Sequence, residues 1–180
     1  DHDRWRPALC AELDHFADRV GERTVGRGYF GGWSPPLMAP APVAAVLDRV
    51  AGRRPGASAM EVTPEANPDA DDVGRFADYR AAGVGRLSLG IQSLDDRALA
   101  FLGRAHDRAD ALDALEEARR RFERLSFDLI YARPGQDAGQ WRSELAEAVA
   151  RAGEGARHLI LMHALGSGAP MRVRTGRARR

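Results

Sequence analysis

Several short apolar runs of this chain are each followed by, or contain, a residue able to hold a charged or hydrogen-bonding ligand. Gly31-Gly32-Trp33-Ser34-Pro35 follows Val25 to Phe30. Glycines there let backbone N–H groups approach a carboxylate or phosphate; a plain turn is the alternative. Glu65, after Ala59 to Thr63, is a carboxylate suited to an ammonium group, or else a helix-entry acid facing solvent. Asn67-Pro68 marks a chain reversal. Gln92, after Arg86 to Ile91, can bond a ribose hydroxyl, or else join a capping network with Ser93 and Asp95. Asp128 stands inside the apolar run Leu125 to Tyr131, where a carboxylate needs either a partner or a function. Its structural alternative is a salt bridge to an Arg. Arg104 and His106 lie between two helical segments, and a lone His is more often structural than catalytic.

The elements that must position these residues alternate between two periods. Trp5, Leu9, Leu13, Phe16 and Val20 fall at helical intervals. Pro40 and Pro42 open a helix with Val43, Val46, Leu47 and Val50 on one face. Asp69 to Ala82 predicts a helix with Gly83 as its C-terminal cap. Asp95 to Leu102 and a longer segment from Asp107 or Asp110, with Leu112, Leu115 and Phe122 inward, predict two more. Trp141, Leu145, Ala148 and Val149 mark the last. Between them lie the strands Val25–Phe30, Ala59–Thr63, Arg86–Ile91, Leu125–Tyr131 and His158–His163. Repeated βα units predict a parallel sheet, with ligands at the carboxyl ends of its strands. Doubly wound and barrel closures both fit, but five strands fall short of a complete eight-stranded barrel.

Composition narrows the classes. Charges nearly cancel, 27 basic against 26 acidic, and every basic residue is Arg. The balance argues against a nucleic-acid stripe. One cysteine, Cys10, allows neither an internal disulfide nor a CxxC metal pair. No apolar run is long enough to span a bilayer, and no signal peptide is visible, so a cytoplasmic location is expected. Residues 1–170 are expected to form one domain, and 171–180 a disordered Arg-rich tail.

Taken in order, the motifs resemble a known family. Tyr29-Phe30-Gly31-Gly32-Trp33-Ser34-Pro35-Pro36-Leu37-Met38 is similar to its FFGGGTPSLM, and Glu61 to Pro68 to its EVTLEANP. Gly85 to Leu94 resembles NRLSLGVQSL, Leu102 to His106 matches LGRxH, and Ser126 to Gln136 matches SFDLIYxxPGQ. The family is the coproporphyrinogen III oxidase-like, HemW-type branch of the radical S-adenosylmethionine (SAM) proteins. The likeness covers roughly residues 1 to 170. It implies an α/β fold, a partial TIM-type (β/α)6 barrel, here about five βα units without the first strand. It implies SAM and a 4Fe–4S cluster as cofactors. SAM contacts carry over onto Gly32, Ser34, Glu65, Gln92, Arg104, Asp128 and Ala164. Heme or a porphyrin and a redox partner are the implied partners. Heme binding and delivery is the role in HemW-type members; decarboxylation of coproporphyrinogen III propionates is the role in the related oxidase.

Three departures shape the expectation. The family's CxxxCxxC motif is expected ahead of residue 1, with the first strand, and Cys10 cannot replace three thiolate ligands. Trp33 stands where the family has Gly. Pro64 and Pro36 each remove a backbone donor. The 180 residues alone are therefore expected to carry no cluster and not to cleave SAM. The competing expectation is a degenerate barrel piece that binds no SAM. A phosphate-binding α/β enzyme using Gly31-Gly32 explains that loop but not the later motifs. A sheet edge exposed near Val25 to Phe30 predicts self-association or marginal stability.

Overall fold

Helices begin where the sequence supplies an acceptor for the first free N–H groups. Asp69 caps α3 (Ala70–Gly74), Asp95 caps α5 (Asp96–Phe101), and Asp107 and Asp137 open α6 (Arg108–Arg121) and α7 (Ala138–Ala152). The last two are full capping boxes, closed by Asp110 and Gln140. Helix α2 (Pro40–Arg53) has no side-chain cap and starts instead on proline. Helix α1 spans His2–Arg19 and α4 spans Phe76–Ala81. The structure is a computed structural model that describes residues 2–31, 39–54, 60–153 and 156–163.

The single helix expected over Asp69–Ala82 is two, α3 and α4, joined at Arg75. Its expected cap is present: Gly83 has φ +97, and Gly83 and Val84 N–H donate back to the Arg80 and Tyr79 carbonyls. That closure needs a left-handed residue, which glycine adopts without a Cβ penalty.

Strands β1 (Arg27–Phe30), β2 (Glu61–Ala66), β3 (Arg86–Gln92), β4 (Arg124–Tyr131) and β5 (Ala156–His163) pair in parallel, in chain order. A doubly wound sheet reverses its order at a switch point. This sheet has no reversal, which is the order of a barrel wall. Strand β2 lies further along the chain than the spacing suggested, so Glu65 stands inside the strand rather than past it. Pro64 explains how: the β1 ladder ends at the Phe30–Pro64 pair and the β3 ladder begins at Glu65. The missing N–H falls where the strand changes neighbours.

Alternation along the strands sorts the two faces. Val62, Leu87, Leu89, Ile91, Leu125, Phe127 and Leu129 are buried and form one core with Phe76, Tyr79, Ala114, Leu115, Ala118 and Phe122. Phe76 and Phe122 meet edge to face, centroids 5.9 Å apart. The other face is polar: Glu65, Ser88 and Ser126 are consecutive register partners, and the two serine hydroxyls are 3.0 Å apart. At the amino edge, Arg27, Glu61, Arg86 and Arg124, each the first residue of its strand, gather around Glu61. The Arg124 hydrogen bond holds the Glu61 carboxyl below its usual range.

The helical stripe of α1 is not a core face. Trp5 and Phe16 are 60% and 54% exposed, and Val149 on α7 is 55% exposed. Leu87→Ala is expected to cost about 2–5 kcal/mol, through lost transfer energy and the cavity left behind. Phe16→Ala is expected to stay within about 0.5 kcal/mol. Urea unfolding of both variants checks the contrast.

Candidate functional site

At the carboxyl edge of the sheet, four of the expected ligand residues meet. Glu65 is the penultimate residue of β2, and Gln92 is the last of β3. Asp128 lies within β4, and Arg104 follows α5. Parallel strands deliver them to one edge, and a break in the ladder aims one of them. Between Leu89 and Gln92 the β3–β4 register shifts. Gln92 then takes φ 66, and Ser93 N–H donates to the Ile91 carbonyl at 2.8 Å, closing a three-residue turn. A residue with a Cβ is strained there.

Gly90 makes room for what this turn presents. A Cβ on Gly90 would meet Gln92 Nε2 at 3.1 Å and Arg104 Nη2 at 3.6 Å. The Gln92 amide and the Arg104 guanidinium therefore lie together over a backbone kept bare. Arg104 Nη2 donates to Asn67 Oδ1 at 2.7 Å, while Asn67 N–H donates to Asp72 Oδ2 at 2.8 Å. Asp72 is buried, and burial raises its pKa. The Asn67-Pro68 reversal thus docks Arg104 onto the end of β2. His106 is structural: buried, its Nε2–H donates to the Ile91 carbonyl at 3.1 Å, and burial pulls its pKa down.

Two acceptors at this edge lack a partner. Gln92 Oε1 and Asp128 Oδ1 are buried and accept no hydrogen bond among the described residues. Among the described residues Asp128 forms no salt bridge to an Arg. Burial, then the Glu65 carboxylate, push its pKa up to about 7, with the Arg104 charge opposing. Orphaned buried acceptors are costly, and such atoms are what a ligand's hydroxyl groups satisfy. Glu65 accepts from the Tyr29 hydroxyl, a contact between neighbouring strands that the spacing did not announce. A cleft of about 620 Å³ opens beside Leu94, Phe101 and Gln140, and none of the four residues lines it.

The fit to each implied group differs. A carboxylate, two buried acceptors and a guanidinium suit a ligand bearing an ammonium, hydroxyls and a carboxylate, as SAM does. Among the described residues no group of His, Cys, Asp or Glu could hold a metal ion, and Cys10, the one cysteine of the sequence, lies 3.9 Å from the Ala45 carbonyl between α1 and α2. Gly32, Ser34, Trp33 and Ala164 lie outside the described residues, as does the tail 171–180.

A family model described as the Radical SAM superfamily matches residues 2–148. The chain is 44% identical over 146 residues to the mitochondrial radical S-adenosyl methionine domain-containing protein 1 of Bos taurus, covering 81% of this chain and 33% of that protein. It is 42% identical over 135 residues to the heme chaperone HemW of Mycobacterium tuberculosis, covering 74% and 35%. The chain spans about a third of the length of these curated relatives. Its fold is similar to that of the coproporphyrinogen III oxidase HemN of Escherichia coli, TM-score 0.75 at 22% identity, over 91% of this chain and 37% of that one.

Asp128 yields a pH prediction. Its native pKa of about 7 lies above the ordinary 3.8, so the native state binds the extra proton between these values. The contribution of Asp128 to stability is therefore fullest below about pH 4 and is lost as pH rises towards 7. Asp128→Asn should remove this decline, leaving the variant more stable than wild type at pH 8 by a few kcal/mol. Denaturant titrations from pH 5 to 8 check it. Glu65→Gln should lower the Asp128 carboxyl midpoint in a carbon-detected NMR titration.

Proposed function

The chain belongs to the radical SAM superfamily, in its HemN/HemW-like branch, and from that premise we propose that residues 1–170 form a partial barrel domain that binds SAM at the carboxyl edge of its sheet. The observation that carries this is the pair of orphaned buried acceptors, Gln92 Oε1 and Asp128 Oδ1, beside Glu65 and Arg104. Glu65 would hold the ammonium of the methionine moiety, and Arg104 its carboxylate. Gln92 and Asp128 would accept from the ribose hydroxyls. Gly32, Ser34 and Ala164 complete the proposed contact set. When bound and reductively cleaved, SAM supplies radical chemistry.

For the whole protein we propose heme binding and delivery rather than porphyrinogen decarboxylation. The chain's 42% identity over 135 residues to a heme chaperone supports that reading. A one-electron donor is the redox partner this reading requires. No described helix is long and apolar enough to cross a membrane. A cytoplasmic location, like the tail assigned to 171–180, is part of the proposal.

Two outcomes test the reading. Calorimetric titration of the 180-residue chain with SAM should give one-site binding, weakened about tenfold by Gln92→Ala and by Asp128→Asn. No binding would leave the degenerate-barrel alternative. With a strong reductant, mass spectrometry should find SAM uncleaved by this chain; turnover would overturn the proposed inactivity.

The sheet edge gives a second test. Among the described strands β1 pairs only with β2, and Tyr29 on it is 61% exposed. We propose self-association through this edge. Light scattering after size exclusion should show species above the monomer that rise with concentration. A sharp monomer at all concentrations would remove this part.

A further inference from the structure

Gln92 is strained, and strain of this kind persists only where neighbours over-determine the backbone. On its amino side, the Ile91 carbonyl accepts from both Ser93 N–H and His106 Nε2. On its carboxyl side stands a buried ion pair whose acidic member, Glu144, lies outside the motifs. Arg133, just past β4, and Glu144, on α7, have side chains 8% and 9% exposed and meet at 2.5 Å. Glu144 Oε1 accepts from Ser93 Oγ at 2.5 Å and from Leu94 N–H at 2.8 Å. Arg133 Nη1 also donates to Ser93 Oγ, and Gln136 Nε2 donates to Glu144 Oε2 at 3.2 Å. The two residues after Gln92 are thus gripped through side chain and backbone together.

We propose that Glu144 and Arg133 are positioning residues for Gln92, holding its left-handed turn so that its amide stays beside Arg104 over Gly90. A buried ion pair is a poor investment if stability were its only role, since apolar residues of similar bulk often replace one at no loss. Here each charge ends on the turn. The pair links the β4–α7 loop to the β3–α5 turn, so the two strand ends that carry Gln92 and Asp128 keep a fixed relation. The functional consequence rests on the reading of Gln92 as a SAM contact; the conformational claim does not.

The test is the double variant Arg133→Leu with Glu144→Leu in the full 180-residue chain. It removes both charges, so no unpaired ion is left behind, and a cooperative melt verifies folding. Glu144→Gln, which keeps an acceptor for Leu94 N–H, serves as the rescue and as the second variant if the first does not fold. The first readout needs no ligand: three-bond HN–Hα coupling and residual dipolar couplings report the Gln92 φ. The double variant should lose the left-handed value and the exchange protection of Leu94 N–H, and Glu144→Gln should keep most of both. A folded double variant with φ unchanged overturns the proposal. The second readout is SAM affinity, expected to fall about tenfold in the double variant and to show no further fall on adding Gln92→Ala. An equal further fall means the pair does not act through Gln92, which overturns its role in binding. If Gln92→Ala itself leaves affinity unchanged, the ligand reading of Gln92 fails, and the coupling measurement still decides the positioning claim.

Discussion

Parallel pairing in chain order is the constraint from which the rest follows. Each of β1 to β5 must return to its starting edge through a crossover before the next begins, so every strand leaves the sheet from the same side. Residues far apart in the chain, Glu65, Gln92 and Asp128, then converge without any dedicated scaffold. The amino edge receives the complementary treatment. There Arg27, Arg86 and Arg124 surround one carboxylate, Glu61, in ion pairs that leave it satisfied. The amino edge gathers its arginines around one carboxylate, although Arg86 Nε there is buried without a hydrogen-bond partner among the described residues, and the carboxyl edge leaves acceptors open. In parallel α/β folds it is the carboxyl edge that ligands use.

The alternation of a strand also decides what the open edge can carry. Leu87, Leu89 and Ile91 bury one face of β3 against the helices, which leaves Ser88 and Gly90 on the other. A glycine there costs the strand packing and chain entropy. The return is space for the Gln92 amide, whose Nε2 would stand only 3.1 Å from a Cβ, while the Arg104 guanidinium would lie at ordinary contact distance. The bulge before Gln92 belongs to the same economy of shape: a shifted register re-aims one side chain without moving the strand.

Much of this was legible from residue types. Period-two apolar residues marked β3, and period-three-to-four ones marked α6, because those patterns follow from backbone geometry alone. The cap at Gly83 is local chemistry and was legible for that reason, while the start of α6 stayed open between Asp107 and Asp110 until the Asp107 capping box was seen. The extent of β2 was not. Pro64 argues against a strand when read in isolation, and only the change of pairing partner at that residue shows why it is tolerated. The exposure of Trp5 and Phe16 was equally hidden, since spacing gives a stripe but not what faces it. Asp128 stood out because a carboxylate between Phe127 and Leu129 is anomalous in any fold. Glu144 did not, because a glutamate on a helix is ordinary until Arg133 and Ser93 are placed against it.

The candidate site is therefore a place where the chain carries unfavourable terms together. Gln92 holds a left-handed backbone, Gln92 Oε1 and Asp128 Oδ1 are buried without donors, and Asp128 has a second carboxylate, Glu65, within electrostatic reach. Each lowers stability, although the Arg104 charge opposes part of the burden on Asp128 and neighbouring hydrogen bonds hold the Gln92 turn. Gln92 Oε1 and Asp128 Oδ1 stand together at this edge, beside Glu65 and Arg104. A ligand that donates to both orphaned acceptors and brings positive charge to Glu65 would relieve these terms at once, and would favour the ionised form of Asp128 in doing so. Binding and folding are then linked through the same atoms: what weakens the empty protein is what the ligand recognises.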